Sequence, residues 1–293
     1  MPRRIAIRTT SRLAAFVLSA FAICLAGAPA AEAASVGGDG TPIPNFFDPN
    51  RRLDRPAPGS IGSIRFTTTD DFPPFSFSGP DGQPAGFNVD LARAICVELA
   101  VPCTIQVRPF DGLLDTVAAG RVDAAIAGIA ISPASRAKIE FSDVYLRPAA
   151  RFVARRGEAP AAISPEGLTG KTIAVVKGSA HEAYLAAFFP KAERTLFDKA
   201  ADMEAALKAG KADLAFGDGG QLAFWLQSAT AGGCCGFAGG PYLDPGFFGE
   251  GLAIALPPGR TDLRQAINWA LDSLSDKGAL AELYLRYFPV GYF

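Results

Sequence analysis

Short apolar runs alternate with amphipathic helical patterns along the chain from Ile61 onward. In residues 89–99, for example, Leu91, Ile95 and Leu99 fall on one side of a helix. The pattern predicts strands at 64–68, 104–107, 124–131, 171–176, 195–197, 213–216 and 252–256. It predicts helices at 89–99, 112–119, 181–189, 203–209, 220–226, 262–274 and 279–287.

The predicted elements form two sets, which are divided near residues 151–156. Alternation of strands and helices is typical of an α/β protein with mainly parallel sheets. In open sheets of this kind, ligands bind outside the carboxyl ends of the strands. The sequence therefore predicts two sheets that face each other across a cleft, with the loops that follow the strands converging on it.

These loops supply aromatic faces, backbone N–H groups at the start of helices, one arginine and one carboxylate. Their residues are 70–75, 132–136, 177–181 and 217–219. An arginine pairs with a carboxylate and helix N–H groups accept an anion, while an aspartate accepts an ammonium group. The set suits the binding of a small zwitterion better than a catalytic reaction.

The N-terminus predicts a cleaved signal peptide over residues 1–30. Four arginines in the first twelve residues precede an apolar stretch at 13–27, and small residues surround cleavage sites at 28–30 and 31–33. No later apolar run is long enough for a membrane helix, so we expect a soluble periplasmic product. Residues 31–60 predict a flexible arm. Within it, Phe46 and Phe47 either dock on the folded body or form an exposed patch.

The composition of the chain limits the classes of partner and cofactor that we expect. Hydrophobic residues make up 49% of the chain and the net charge is -1, with no basic cluster beyond the N-terminus, so we expect no nucleic acid. Beyond the signal peptide stand Cys96, Cys103, Cys234 and Cys235, and an even count in an oxidising compartment favours disulfides. The chain has one histidine and no CxxC motif, so we expect neither a metal nor another cofactor.

From Ile64 to Phe288 the chain resembles the type 3 solute-binding proteins of bacterial ABC importers. This family includes the histidine-, lysine/arginine/ornithine- and glutamine-binding proteins. Each matching stretch is short, and their order along the chain carries the resemblance. The stretches are 72–75, 86–90, 120–124, 141–145, 176–179, 210–213 and 278–281.

The resemblance implies a two-lobed periplasmic binding protein fold, in which two hinge strands join lobes built on mostly parallel sheets flanked by helices. It places residues 61–152 and the return segment 250–293 in lobe 1 and residues 153–249 in lobe 2. Such a protein closes on its ligand and delivers it to the membrane permease of an ABC importer; we expect a monomer. The resemblance also implies a Cys96–Cys103 disulfide. Cys234 and Cys235 are left as a vicinal disulfide or as thiols.

Residue by residue, the resemblance implies that Phe72 stacks on the ligand, Gly128 presents its backbone and Asp218 holds an α-ammonium group. Asp218 could instead only cap the helix that begins at Gly219. Ser179 lies in the loop that meets the ligand carboxylate. The expected ligand set is Asp70, Phe72, Gly128, Ala130, Ser132, Arg136, Ser179, Ala180 and Asp218.

Two positions depart from the family pattern. Ala130 replaces a small polar residue, and Ser135 stands where the family keeps an arginine that clamps the ligand carboxylate. Arg136 follows one residue later. We expect the loop to adjust so that Arg136 reaches the cleft; otherwise the solute is not an α-amino acid and is held mainly by Asp218 and Phe72.

The resulting hypothesis is a binding protein, not an enzyme, for a small polar solute such as an amino acid. One alternative is a periplasmic enzyme on the same scaffold, similar to a dehydratase of cyclohexadienyl acids. It would need a general acid or base among Asp70, Asp71, His181 and Asp218. Another alternative is a receptor that presents its ligand to a sensor protein.

Overall fold

The computed structural model describes residues 35–36, 42–48, 50–129, 131–289 and 291–292. The predicted signal peptide, residues 1–30, and Ala130 lie outside these ranges. Within them, no helix has the length and hydropathy needed to cross a membrane.

The strands of the described ranges are β1 (Ser35–Val36), β2 (Pro42–Ile43), β3 (Ile64–Thr68), β4 (Asp71–Phe72), β5 (Ser76–Ser78), β6 (Pro84–Ala85), β7 (Cys103–Val107), β8 (Ala124–Ala125), β9 (Glu140–Leu146), β10 (Ala150–Arg155), β11 (Thr172–Val176), β12 (Glu193–Phe197), β13 (Leu214–Asp218), β14 (Cys235–Tyr242) and β15 (Leu252–Leu256). The helices are α1 (Phe87–Leu99), α2 (Leu113–Ala118), α3 (Pro133–Arg136), α4 (Ala180–Phe188), α5 (Ala200–Lys208), α6 (Gly219–Gln227), α7 (Pro245–Phe248), α8 (Thr261–Asp276) and α9 (Ala279–Tyr287).

Two five-stranded sheets form the two lobes. The lobe 1 sheet has the order β7-β3-β8-β15-β9, and the lobe 2 sheet has the order β12-β11-β13-β10-β14. In each sheet three neighbouring strands are parallel, and the strand beside them runs antiparallel to its two neighbours. This is the predicted α/β class, with mostly parallel sheets flanked by helices.

The chain passes between the sheets twice. The first crossing lies between β9 and β10, at residues 147–149, and the second between β14 and β15, at residues 243–251. β15 then enters lobe 1 next to β8, and all five of its residues are buried, as expected for an interior strand. The exact lobe boundaries given by the resemblance stay predictions.

Each lobe has its own apolar core. Helices α1, α8 and α9 pack together beside the lobe 1 sheet, where Leu91 and Ile95 of α1 are fully buried. In lobe 2, α5 packs on β11, and α4 and α6 pack on β13. Since these helices lie beside the sheets, the strand ends remain open toward the space between the lobes.

One predicted strand is shorter than the sequence pattern indicates. The apolar run at 124–131 predicts a strand, but only Ala124–Ala125 pairs within the sheet. Gly128 has a φ of 67°, a left-handed conformation that turns the chain out of the strand. The rest of the run consequently becomes a loop at the cleft.

The arm docks on lobe 1, which settles the alternatives left open for its two phenylalanines. Phe47 is buried in the lobe 1 core, and the guanidinium of Arg147 lies 5.6 Å from the centre of the Phe46 ring. An ion pair of 2.7 Å joins Arg51 Nη1 to Asp143 Oδ2. The described part of the arm is therefore continuous with the lobe 1 core and contacts the first crossing.

The described part of the chain contains two disulfides. Cys96 of α1 is bonded to Cys103 at the start of β7, with their Cα atoms 6.2 Å apart, as the resemblance implies. Cys234 and Cys235 form a vicinal disulfide at the start of β14. The first bond fixes the C-terminal half of α1 to the edge strand of the lobe 1 sheet.

Candidate functional site

A cavity of about 510 Å³ lies between the two sheets. Lobe 1 contributes Phe72, Gly128, Ile131 and Ser132, and lobe 2 contributes Ala180, His181 and Asp218. Both crossings also line it, through Pro148, Ala149 and residues 245–250, as do Ala150 and Leu252, the first residues of the strands that follow the crossings. Because both lobes and both crossings form its walls, a change in the angle between the lobes must change the volume of the cavity.

Phe72 supplies the aromatic wall on the lobe 1 side. Its ring stacks on buried Phe75, with the ring centres 4.8 Å apart and the planes 14° from parallel. A Cβ atom at Gly128 would lie 2.8 Å from the Phe72 ring, so only glycine allows this close approach. Phe72 itself is half-buried and lines the cavity.

Asp218 supplies a carboxylate on the lobe 2 side. It ends β13 and caps α6, where its Oδ1 accepts a hydrogen bond of 2.8 Å from the backbone N–H of Gln221. Burial raises the pKa of Asp218 to about 6, and hydrogen bonds from the N–H groups of Gln221 and Gly220 act in the opposite direction. The two roles considered for this residue, helix cap and cavity wall, therefore coexist.

The start of α6 is tied to the first crossing. The N–H of Gly219 donates a 2.7 Å hydrogen bond to the carbonyl of Ala149. A Cβ atom at Gly219 would lie 2.6 Å from the same oxygen. This contact, which requires glycine, holds Asp218 beside the segment that joins the lobes.

Ser179 caps α4 and does not line the central cavity. Its hydroxyl donates to the carbonyl of Val176 at 2.6 Å and accepts from the N–H of Glu182 at 3.2 Å. Glu182 Oε2 in turn accepts a 2.6 Å hydrogen bond from the N–H of Gly178. Ala180 and His181, the first two residues of α4, face the cavity instead.

His181 is a cavity residue that the predicted ligand set omitted. Its imidazole stacks on Phe248, with ring centres 5.2 Å apart, and contacts Phe216 edge-on at 5.8 Å. Burial lowers its pKa to about 4, so the imidazole is neutral at pH 7. His181 and Phe248 therefore form an uncharged aromatic part of the cavity wall.

Ser132 reaches the cavity, whereas Arg136 does not line it. Ser132 and Ser135 hold their loop closed, since the N–H of Ser132 donates to Ser135 Oγ at 2.9 Å and the N–H of Ser135 donates to Ser132 Oγ at 3.2 Å. The guanidinium of Arg136 is half-exposed and pairs with Glu250 Oε2 at 2.6 Å. Glu250, in the second crossing, does line the cavity.

Asp70, another predicted ligand residue, does not line the cavity. Asp70 is exposed and accepts a 3.2 Å hydrogen bond from Ser78 Oγ. Ala130 falls outside the described residues. Asp71, not Asp70, faces a smaller adjoining cavity of about 320 Å³, together with Phe72, Phe110 and Gly128.

A second cavity of about 290 Å³ adjoins the central one within lobe 2, and His181 and Asp218 line both. Ser179 and Glu204 also line this second cavity, and burial raises the pKa of Glu204 to about 7. The lobe 2 wall thus places two carboxyl groups with raised pKa close to the cleft. Within the described ranges, no group of three or more histidine, cysteine or acidic side chains is arranged to hold a metal ion.

The chain is similar to known proteins in both sequence and structure. L-arginine-binding protein of Pseudomonas aeruginosa is 32% identical over 219 residues, which cover 74% of this chain and 84% of that protein. ABC transporter arginine-binding protein 1 of Escherichia coli is 28% identical over 226 residues, covering 77% and 90%. A solved structure of an ancestral cationic amino acid solute-binding protein superimposes with a TM-score of 0.66 at 26% identity, covering 78% of this chain and 96% of that one.

The family comparison agrees with the fold and the cavity. The pattern of the bacterial extracellular solute-binding proteins, family 3, matches residues 64–290, and the arm therefore precedes the matched region. The similar proteins named above are binding proteins rather than enzymes. The chain belongs to the bacterial extracellular solute-binding proteins, family 3.

Proposed function

We propose that this protein captures a small solute with a positively charged nitrogen, of about the size of an amino acid, and delivers it to the permease of an ABC importer. The observation that carries the proposal is the central cavity, where the carboxylate of Asp218 faces a space walled by Phe72, His181 and Phe248. Its volume lies within the range of small-molecule sites.

The chemistry of the walls favours a cation. An ammonium or guanidinium group beside Asp218 would satisfy a carboxylate that burial otherwise penalises. A cation over the ring of Phe72 or Phe248 gains a further attraction from the ring quadrupole. Names of the relatives refer to arginine, so a basic amino acid is the reference ligand against which other solutes should be compared.

Capture would proceed by hinge closure about the two crossings, residues 147–149 and 243–251.

Family membership gives an extracytoplasmic location, and we propose that residues 1–30 direct export and are then removed. A single protein molecule would carry a single solute to the permease.

The enzyme alternative has one supporting observation. A buried carboxyl group with a pKa near 6 at a cavity has the profile of a general acid, and Asp218 fits it. Incubation of the protein with cyclohexadienyl acids, followed by mass analysis, tests this alternative. Turnover that disappears in Asp218→Asn would support an enzyme; unchanged acids would leave the binding function as proposed.

The proposed function is tested by calorimetric titration and thermal unfolding of protein refolded without ligand. The panel contains L-arginine, L-lysine, agmatine, cadaverine, L-glutamine and L-glutamate. We expect at least one cation to bind, with about 2.7 kcal/mol of added stability at 100 times its dissociation constant. Binding of L-glutamate alone, or of no cation at millimolar concentration, would contradict the proposal.

A further inference from the structure

Few groups that could receive a carboxylate are found among the described residues that line the central cavity. A ligand carboxylate in a protein is held by an arginine or lysine, or by free N–H groups at the start of a helix. Among the described residues that line the cavity there is no arginine and no lysine. The charged side chains there are Asp218 and Glu250, both acidic.

Arginines near the crossings are engaged elsewhere. Arg136 pairs with Glu250 at 2.6 Å and remains half-exposed. Arg151 is buried, but its guanidinium lies 4.4 Å from the centre of the Phe237 ring and donates a 3.0 Å hydrogen bond to the carbonyl of Gly239. Neither arginine lines the cavity.

The starts of α4 and α6 beside the cavity each already hold a carboxylate of the chain itself. Asp218 accepts from the N–H groups at the start of α6. At the start of α4, Ser179 accepts from Glu182 N–H, and Glu182 accepts from Gly178 N–H. The partial positive charge of each helix N-terminus is therefore already compensated. A ligand carboxylate at either place would meet a like charge.

From these contacts we infer that the solute is an organic cation without a carboxylate, such as an alkylamine, a diamine or a guanidine. Its charged nitrogen lies between Asp218 and the rings of Phe72 and Phe248, within reach of Glu250 from the second crossing. This inference rests on the proposed function and specifies its ligand class. It departs from the expectation that Arg136 clamps an α-carboxylate.

Matched pairs of ligands test the inference. Agmatine and L-arginine share the same guanidinium and differ by the α-carboxylate, and cadaverine and L-lysine form the corresponding pair for a primary ammonium. In calorimetric titrations at pH 7.5, we expect the better-binding cation to bind at least tenfold more tightly than its amino acid. Equal affinity, or tighter binding of the amino acid, would overturn the inference and leave the proposed function standing. Binding of neither member of either pair would overturn both.

Two variants separate the possible roles of Arg136 and Glu250. Arg136→Ala should change the affinity for the amine by no more than about threefold. If Arg136 instead clamped the ligand carboxylate, the same substitution would weaken the binding of the amino acid by about 30-fold or more. Glu250→Gln should weaken the binding of the amine by about fivefold, because it removes a carboxylate from the cavity wall. If Arg136 were the clamp, Glu250→Gln would instead release it and strengthen L-arginine binding. Lys138→Ala is the matched control, since Lys138 pairs with Asp115 and lies outside the cavity lining.

Discussion

Asp218 is the residue on which the most interactions of the site converge. Its carboxylate caps α6, lies at the end of a central strand and faces the cavity. A side chain that must accept from backbone N–H groups has a fixed position, because the helix itself determines where those donors lie. The capping role therefore also orients the carboxylate toward a ligand.

The pH dependence of stability follows from Asp218. Burial raises its pKa in the folded protein to about 6, above the ordinary value of 3.8. A carboxyl group whose pKa is raised in the folded state contributes most to stability at pH values below its ordinary pKa. This contribution is lost as the pH rises through the folded-state pKa of about 6. We expect the free energy of unfolding of the ligand-free protein to decrease more steeply between pH 4 and pH 7 than that of Asp218→Asn. Denaturant titrations at several pH values measure it.

Asparagine is a suitable control because it caps helices about as well as aspartate. The same carboxylate predicts the opposite trend for binding, since only ionised Asp218 attracts a cation. Affinity for a bound cation should therefore rise between pH 5 and pH 7 in the native protein and change little in Asp218→Asn. An identical pH profile in both proteins would assign the titration to another group, such as Glu204.

At the scale of elements, the parallel strands and the antiparallel strand β15 were predictable, whereas the antiparallel strands β10 and β14 were not. β3 and β11 appear in the sequence as short apolar runs between helical patterns, and both were predicted. β14 has the sequence CGFAGGPY, whose glycines and proline hide any alternation. β10 is buried at five of six positions, but it follows the first crossing, where the sequence shows only a boundary between two sets.

The same reason explains which parts of the site were found. Phe72, Gly128 and Asp218 follow strands with a clear pattern, so topology alone places them at the cleft. Phe248 and Glu250 lie in the second crossing, which has no periodicity and belongs to neither set of elements. His181 was visible at the start of α4, but the sequence could not show that α7 would bring Phe248 against it.

The arm provides a prediction at the element scale. Phe47 is buried in the lobe 1 core, and β2 packs on α9. We expect Phe47→Ala to lower the free energy of unfolding by about 3–5 kcal/mol, the usual cost of truncating a buried phenylalanine. Phe46 is only partly buried, so Phe46→Ala should cost clearly less. Urea titration of the mature protein measures both; a Phe47→Ala variant of native stability would mean that the arm is detached in solution.

In the whole molecule, the walls of the central cavity come from both lobes. The proposed hinge closure about residues 147–149 and 243–251 would move each sheet with its own core, while Ala223 of α6, which is buried in the lobe 1 core, would have to repack. Asp218 and His181 lie on one side of this motion and Phe72 on the other. A cation that contacts both sides therefore binds the closed arrangement more tightly than the open one, which is the condition for a ligand to shift a conformational equilibrium.

Closure can be measured directly by X-ray scattering. The protein without ligand, and with a saturating amount of the tightest cation from the titrations, should give different curves, and the liganded protein should have the smaller radius of gyration. Asp218→Asn, at the same ligand concentration, should keep the scattering curve of the unliganded protein, because it has lost the lobe 2 contact that favours closure. A ligand that binds with high affinity while the two curves superimpose would mean that the solute occupies one lobe only. The hinge role of the two crossings would then be wrong, although the solute-binding function would remain.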